Sequence, residues 1–244
     1  MVGGGEIILV KGASGSGKST RGYYFLTYLE SIGIVLKPFN FINILGQQHT
    51  IGVCAEEFGI VFIGKWYESG GVKRWQGYDA MTSRLHKTEG LLFLLQALVK
   101  KGLCPYIDGA GTTATWKLRP YYLCGELGIT NILHIAYNYR DDQYAEYKAR
   151  IAYRSGKEAK GDAMWRKNKT FVHDMQKAEI EAKDVNDAGG NALVLDRPYD
   201  APIWDLGERI FTFFGLADIV PDYKNFCLKN QGYLQQNSFE AFNT

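Results

Sequence analysis

An α/β architecture of the P-loop type, a parallel sheet with helices on both faces, is predicted from three observations. A short β-branched run at residues 6–10 enters the segment GASGSGKS at residues 12–19, which opens into a helix-forming stretch. Short apolar runs then alternate with longer helical patterns, the chain order of strands and crossover helices in a parallel sheet. One of those runs, residues 104–107, ends in Asp108-Gly109, an acidic residue where such a sheet presents its strand ends.

Each element follows from its local pattern. Residues 6–10 read as the first strand and residues 18–30 as the helix behind the loop. Residues 34–36 read as a second strand, stopped by Pro38. HTIGVCAEEFGIVFIG reads as two strands joined by a polar turn at residues 55–58, with the unbroken apolar run at 60–63 as the buried one. SGGVKRWQGYDAM is polar and glycine-rich and reads as a loop. Leu91, Leu94, Leu95 and Leu98 fall on one helical face, so residues 88–101 are a helix. Strands follow at 104–107 and 132–136, separated by a helix at 116–127 that Gly128 closes. A helix at 140–154, a polar insert expected to be mobile and a charge-rich helix at 165–188 come next. The last strand is 192–195 and the last helix 203–214. The expected organisation is a P-loop NTPase/kinase-like domain over residues 1–221, with a small β-hairpin insert and a helical lid at about residues 150–170. Residues 222–244, rich in Asn and Gln with scattered aromatics, form a C-terminal extension that either packs or is partly disordered.

Composition narrows the function classes. The hydrophobic and charged fractions, 46% and 22%, are those of a soluble globular enzyme. A net charge of +2 carries no global basic signature, so a nucleic-acid partner requires a local basic patch. Cys54, Cys104, Cys124 and Cys227 form no C-x-x-C pair, which argues against a zinc site or a disulfide frame. His49, His86, His134 and His173 are scattered and read as structural. The longest strongly apolar stretch, residues 91–99, is far short of the ~20 residues that span a bilayer. The N-terminus lacks the basic, apolar and cleavage regions of a signal peptide. A cytoplasmic protein with no membrane partner is expected, its oligomeric state left open.

The strongest chemical signal is GASGSGKS, which fits G-x-x-x-x-G-K-[ST] in full. A chance match in a chain this long is on the order of one per cent at average composition. Gly12, Gly15 and Gly17 let the backbone curl so that successive N–H groups, with those of Ser14, Ser16 and Thr20, face phosphate oxygens. The helix that follows adds its positive dipole end. Lys18 reaches the β- and γ-phosphates, and the Ser19 hydroxyl ligates Mg²⁺. The expected ligands are therefore ATP, or another nucleoside triphosphate, and Mg²⁺.

Three weaker signals surround it. Asp108 suits the partner of Mg²⁺ beside Ser19, or a base, and as Asp-Gly it equally suits a plain turn. Asp79 follows a buried strand in a glycine-rich segment, where a carboxylate can orient an attacking hydroxyl and take its proton. Lys65, Trp66, Arg74, Trp75 and Tyr78 lie around it, basic and aromatic side chains able to hold a phosphate and stack a base. Arg150 and Arg154 are four residues apart on one helix face, where they can neutralise charge on a transferring phosphate or simply be solvated.

The order of these features resembles the phage P-loop kinases that phosphorylate 5-hydroxymethyluracil in DNA. GASGSGKST, IVFIGKWYESGGVKRWQGYDAM and YKARIAYRSGK followed by RKNKTF carry the resemblance, which spans roughly residues 5–215. Gly64-Lys65-Trp66 stands where that family has a glycine, a basic residue and an aromatic after the strand, and Gly77-Tyr78-Asp79 supplies its Asp; the insertion VKRWQ and the aromatic Tyr78 before Asp79 depart from the pattern. The resemblance implies an ATP-dependent phosphotransferase whose acceptor is a hydroxymethyl group on a pyrimidine within DNA, in the host cytoplasm. Trp66, Trp75 and Tyr78 would then stack on a base extruded from the helix, and Lys73, Arg74, Arg84 and Lys87 would form the local basic patch. The residues alone leave open a nucleoside, nucleotide or polynucleotide-end kinase, and a P-loop NTPase switch with no acceptor.

Overall fold

The computed structural model describes residues 5–13, 15–109, 116–155 and 160–240. Its frame is a seven-stranded sheet built from β1 (Glu6–Gly12), β2 (Leu36–Ile42), β3 (Gln48–Ala55), β4 (Ile60–Ile63), β7 (Cys104–Asp108), β8 (Asn131–Asn138) and β9 (Asn191–Pro198). The order is β2-β3-β4-β7-β1-β8-β9. Five neighbouring strands, β4 to β9 in that order, run parallel, and β3 is antiparallel to both β2 and β4. Two further strands, β5 (Lys65–Ser69) and β6 (Val72–Gln76), form a separate hairpin.

Helices cover both faces, as expected of a parallel sheet whose strands are buried on each side. They are α1 (Lys18–Ser31), α2 (Lys87–Lys100), α3 (Pro120–Leu127), α4 (Tyr144–Ser155), α5 (Lys160–Asp187), α6 (Asp205–Phe213) and α7 (Val220–Glu240). Period-two alternation in β1 divides the core. Ile8 and Val10 join the side chains of α1, α6 and α7 in one cluster, whereas Ile7 and Leu9 join those of α2, α3 and α5 in the other. A third cluster, with Ala13, Tyr139, Tyr147, Ile151, Trp165 and Tyr199, packs α4 and the start of α5 against the glycine-rich loop after β1. Ion pairs fasten α5 to its neighbours: Asp174 lies 3.6 Å from the Lys11 ammonium of β1, and Glu181 lies 2.8 Å from Arg119 at the start of α3. Burial pushes Lys11 down to about 8, with Asp174 pulling the other way.

Four local expectations change. The second strand is Leu36–Ile42 and contains Pro38, which is tolerated because β2 is an edge strand with a register shift at Phe39/Asn40. The segment read as a loop holds β6 and the turn that joins it to β5, with Gly70 and Gly71 at φ 61° and 75°. Left-handed backbone at both central residues is what a two-residue hairpin turn matched to strand twist requires. Helix α5 already begins at Lys160, inside the predicted polar insert, whose residues 156–159 lie outside the described part. The Asn/Gln-rich tail is helical through Glu240 as α7 and docks on α1 and α6. None of the described helices is long and apolar enough to cross a membrane.

Tyr223 anchors α7. Its fully buried ring meets Tyr28, Phe211 and Phe25 at centroid distances of 5.0, 5.7 and 6.0 Å. Tyr223→Ala is expected to cost about 3–5 kcal/mol in urea unfolding, the usual loss for a buried aromatic, whereas Tyr223→Phe, which keeps the ring, costs under about 1.5 kcal/mol.

Candidate active site

The glycine-rich loop expected from its sequence pattern to bind phosphate, called the phosphate loop for that pattern, forms where β1 leaves the sheet. Gly12 has φ 129°, and a Cβ there would lie 2.2 Å from the Tyr137 carbonyl oxygen of β8, so only glycine permits this exit. Gly17, at φ 79°, is the residue from which α1 starts. The Lys18 ammonium donates to the carbonyls of Gly12 and Ala13, each at 3.0 Å, and so lies back across the loop. Ser16 is buried, and Gly15, Ser19 and Thr20 are half-buried; Ser14 lies outside the described residues. The loop thus gathers a buried ammonium, a hydroxyl and the N-terminal end of a 14-residue helix, a combination suited to a polyphosphate.

Asp108, at the end of β7, is fully buried beside that loop. Its Oδ2 accepts from the Trp75 indole N–H at 3.2 Å. Burial pushes its carboxyl up to about 6, and Lys18, the Trp75 N–H and the Ser19 hydroxyl pull it back down. Its Oδ1 is buried without a hydrogen-bond partner. A hard cation with oxygen ligands fits this pair of groups, the Ser19 hydroxyl and an uncommitted carboxylate oxygen. No cluster of three or more His, Cys, Asp or Glu among the described residues can hold a metal by itself. A cation here would therefore complete its shell with phosphate and water oxygens, as Mg²⁺ commonly does.

The second carboxylate stands next to the first. Asp79 is exposed in a single 3₁₀ turn, Tyr78–Met81, directly after the hairpin. A Cβ on Gly109 would come 3.0 Å from Asp79 Oδ1, and one on Gly77 would come 2.1 Å from the Asp108 carbonyl oxygen. Two glycines thus let the segment after β6 lie directly on the end of β7. Asp79 also raises the Asp108 carboxyl through its charge.

The remaining expected residues separate into two sets. Lys65 is exposed, with its ammonium 4.4 Å from the Tyr67 ring, and Trp66 is half-buried against Tyr23 at 5.8 Å. Trp75 and Tyr78 are 3% and 4% exposed, so neither presents an open ring face for stacking. Trp75 packs on Phe62 and Tyr106 instead. Arg74 is buried, and its Nε and Nη1 lack hydrogen-bond partners. In the expected basic patch Lys73 pairs with Glu30 and Arg84 donates to the Thr50 carbonyl, while the Lys87 side chain lies outside the described part.

On the far side of the loop, α4 brings Ile151 and Arg150 into position. A Cβ on Gly15 would meet Ile151 Cδ1 at 3.7 Å. The half-exposed Arg150 guanidinium lies 4.7 Å from the Tyr199 ring centroid and pairs with Glu146 at 3.2 Å. Arg154 is on the same helix, its side chain outside the described part. Tyr139 stacks on Tyr199 at 4.1 Å and donates to the Gly15 carbonyl at 2.9 Å. Tyr139 also lines a cavity of about 430 Å³ with Asn138, Arg140, Asp196 and Arg197.

Two supporting residues escaped the motif. Arg21, 3% exposed, donates to the Ser16, Tyr199 and Ala201 carbonyls and lies 4.1 Å from the Tyr137 ring centroid. It ties the phosphate loop to the segment after β9. Tyr139 does the same from the end of β8. Arg21 was detectable as a lone cation within the aromatic run RGYYFL; nothing local marks Tyr139 among 16 tyrosines.

A family model described as "5-hmdU DNA kinase 2" matches residues 5–197 of this chain. A protein of that name from Salmonella phage ViI is 26% identical over 238 residues, covering 86% of this chain and 76% of its own length. No solved structure matches. The matched region runs from β1 through β9 and so contains the phosphate loop, both carboxylates and the hairpin: the chain belongs to the 5-hmdU DNA kinase 2 family.

Proposed function

We propose that this protein is a P-loop kinase that transfers the γ-phosphate of ATP to the hydroxymethyl oxygen of 5-hydroxymethyluracil in DNA. The observation that carries the reading is the meeting of two carboxylates beside the phosphate loop: Asp108 with Lys18 and Ser19, and Asp79 against Gly109. The family membership and the name of the phage relative support the acceptor.

In this reading Lys18 and the N-terminal end of α1 hold the triphosphate, and the base enters the cavity beyond Tyr139. Ser19 and Asp108 would hold Mg²⁺, which would supply charge neutralisation on the triphosphate. Asp79 stands on the exposed side, where it accepts a hydrogen bond from the acceptor hydroxyl, orients its oxygen toward the γ-phosphorus and takes the proton as the new P–O bond forms. The bond to the β-phosphate oxygen breaks and ADP leaves. Arg150 and Arg154 on α4 offset charge on the transferring group. Asp108 is the less suitable base because Trp75, Lys18 and Ser19 already surround it. Lys65 and Trp66, on the open side of the hairpin, are the residues best placed to meet the nucleotide carrying the acceptor.

Labelled γ-phosphate should enter hydroxymethyluracil-containing DNA and neither unmodified DNA nor free nucleosides. Label appearing only in mononucleotides, or hydrolysis without a phosphorylated product, would overturn the acceptor assignment. Lys18→Ala should abolish transfer, and turnover near wild type would refute the loop as the catalytic phosphate site. Asp79→Asn should leave ATP binding intact by titration calorimetry and lower transfer by roughly 10²–10⁴-fold. If Asp108→Asn instead spares Mg²⁺·ATP binding and removes transfer, the two carboxylates have exchanged roles.

A further inference from the structure

Trp75 belongs to the hairpin that carries Lys65 and Trp66 and leads into Asp79, yet its side chain points to the phosphate side of the site. The indole ring meets Phe62 edge-on at 6.5 Å and Tyr106 at 6.4 Å. Two glycines clear its path. A Cβ on Gly22 of α1 would lie 3.0 Å from Trp75 Nε1, and one on Gly64 would lie 2.4 Å from Cη2. The ring is therefore wedged between the helix that follows the phosphate loop and the strand end that precedes the hairpin. Its N–H, a donor only, reaches Asp108 Oδ2 at 3.2 Å. The other oxygen of that carboxylate is the one left without a hydrogen bond.

We infer that Trp75 is a positioning residue for Asp108: its indole N–H holds one carboxylate oxygen so that the other stays presented to the Ser19 side of the phosphate loop. The inference rests on the reading of Asp108 as the metal-side carboxylate. Aromatic packing alone would explain the buried ring; it would not require a polar edge turned onto a buried carboxylate, where a phenylalanine would fill much of the same space.

The bond itself is testable in the protein without nucleotide. Among the five tryptophan indole N–H resonances, the one assigned to Trp75 should move in Asp108→Asn while the other four stay, and Asp79→Asn should leave it in place. No movement in Asp108→Asn would overturn the proposal. Trp75→Phe keeps an aromatic ring and removes the donor. At a temperature where both proteins are folded, it should lower kcat for phosphate transfer roughly 10-fold. It should also raise the Mg²⁺ concentration needed for half-maximal rate severalfold and leave KM for ATP within about twofold. Wild-type kcat and Mg²⁺ dependence in Trp75→Phe, with Asp108→Asn inactive, would sink this inference and leave the reading of Asp108 standing. Wild-type transfer in Asp108→Asn would remove that reading itself. Should Trp75→Phe fail to fold, the resonance shift in Asp108→Asn decides the matter alone.

Discussion

Asp108 is a carboxylate with no exposure to water, and the site is assembled around keeping it there. An isolated buried charge costs several kcal/mol unless opposite charge and hydrogen bonds offset it. The offset comes from three groups at two places in the chain: the Lys18 ammonium and Ser19 hydroxyl at the start of α1, and the Trp75 N–H on β6. These groups reach Asp108 together only if β7 lies beside β1 and the hairpin folds over the strand ends. The parallel register of Val10 with Asp108 supplies the first condition. The close approach of Gly77 to the Asp108 backbone supplies the second.

The phosphate loop is held from behind as firmly as Asp108 is held from the side. Tyr137 crowds Gly12, Tyr139 takes the Gly15 carbonyl, and Arg21 binds the Ser16 carbonyl together with two carbonyls beyond β9. These contacts fix the course of the loop backbone, within which the Ser16 N–H donates to the Ala13 carbonyl at 3.3 Å. Fixed dipoles of this kind are what a preorganised anion site requires. The Tyr139–Tyr199–Arg150 stack extends the same support to α4.

The hairpin divides the aromatic residues that looked alike in sequence. Trp66 stays half-open beside Lys65, whereas Trp75, directly opposite it in the hairpin register, is buried with its N–H on a carboxylate. A stacking platform needs a free ring face, and burial decides which of the two has one. The same division applies to the basic residues: Lys73 is spent on Glu30, while Arg74 is enclosed with two nitrogens uncommitted.

The phosphate loop, the parallel core strands and Asp108 at a strand end were legible in the linear chain, because each depends on residues adjacent in sequence: a glycine pattern, a β-branched run, a strand ending in Asp-Gly. The hairpin at 65–76 was legible in principle, since Gly70-Gly71 between two aromatic runs is a turn signal, but its polar composition masked it. The helical state of α7 came from burying Tyr223 and Cys227 against α1 and α6, a gain that no local propensity in an Asn/Gln-rich tail expresses. The sequence by itself determined the glycine-rich loop with Lys18 and Ser19 on which the proposed triphosphate site rests, because that pattern resides in one contiguous segment. Only the tertiary structure decided that Asp79 and Asp108 share a site, that Trp75 serves a carboxylate rather than a base, and that Arg21 and Tyr139 brace the loop. Those relations join residues as far as 180 positions apart, and nothing short of the packed sheet brings them within hydrogen-bond distance.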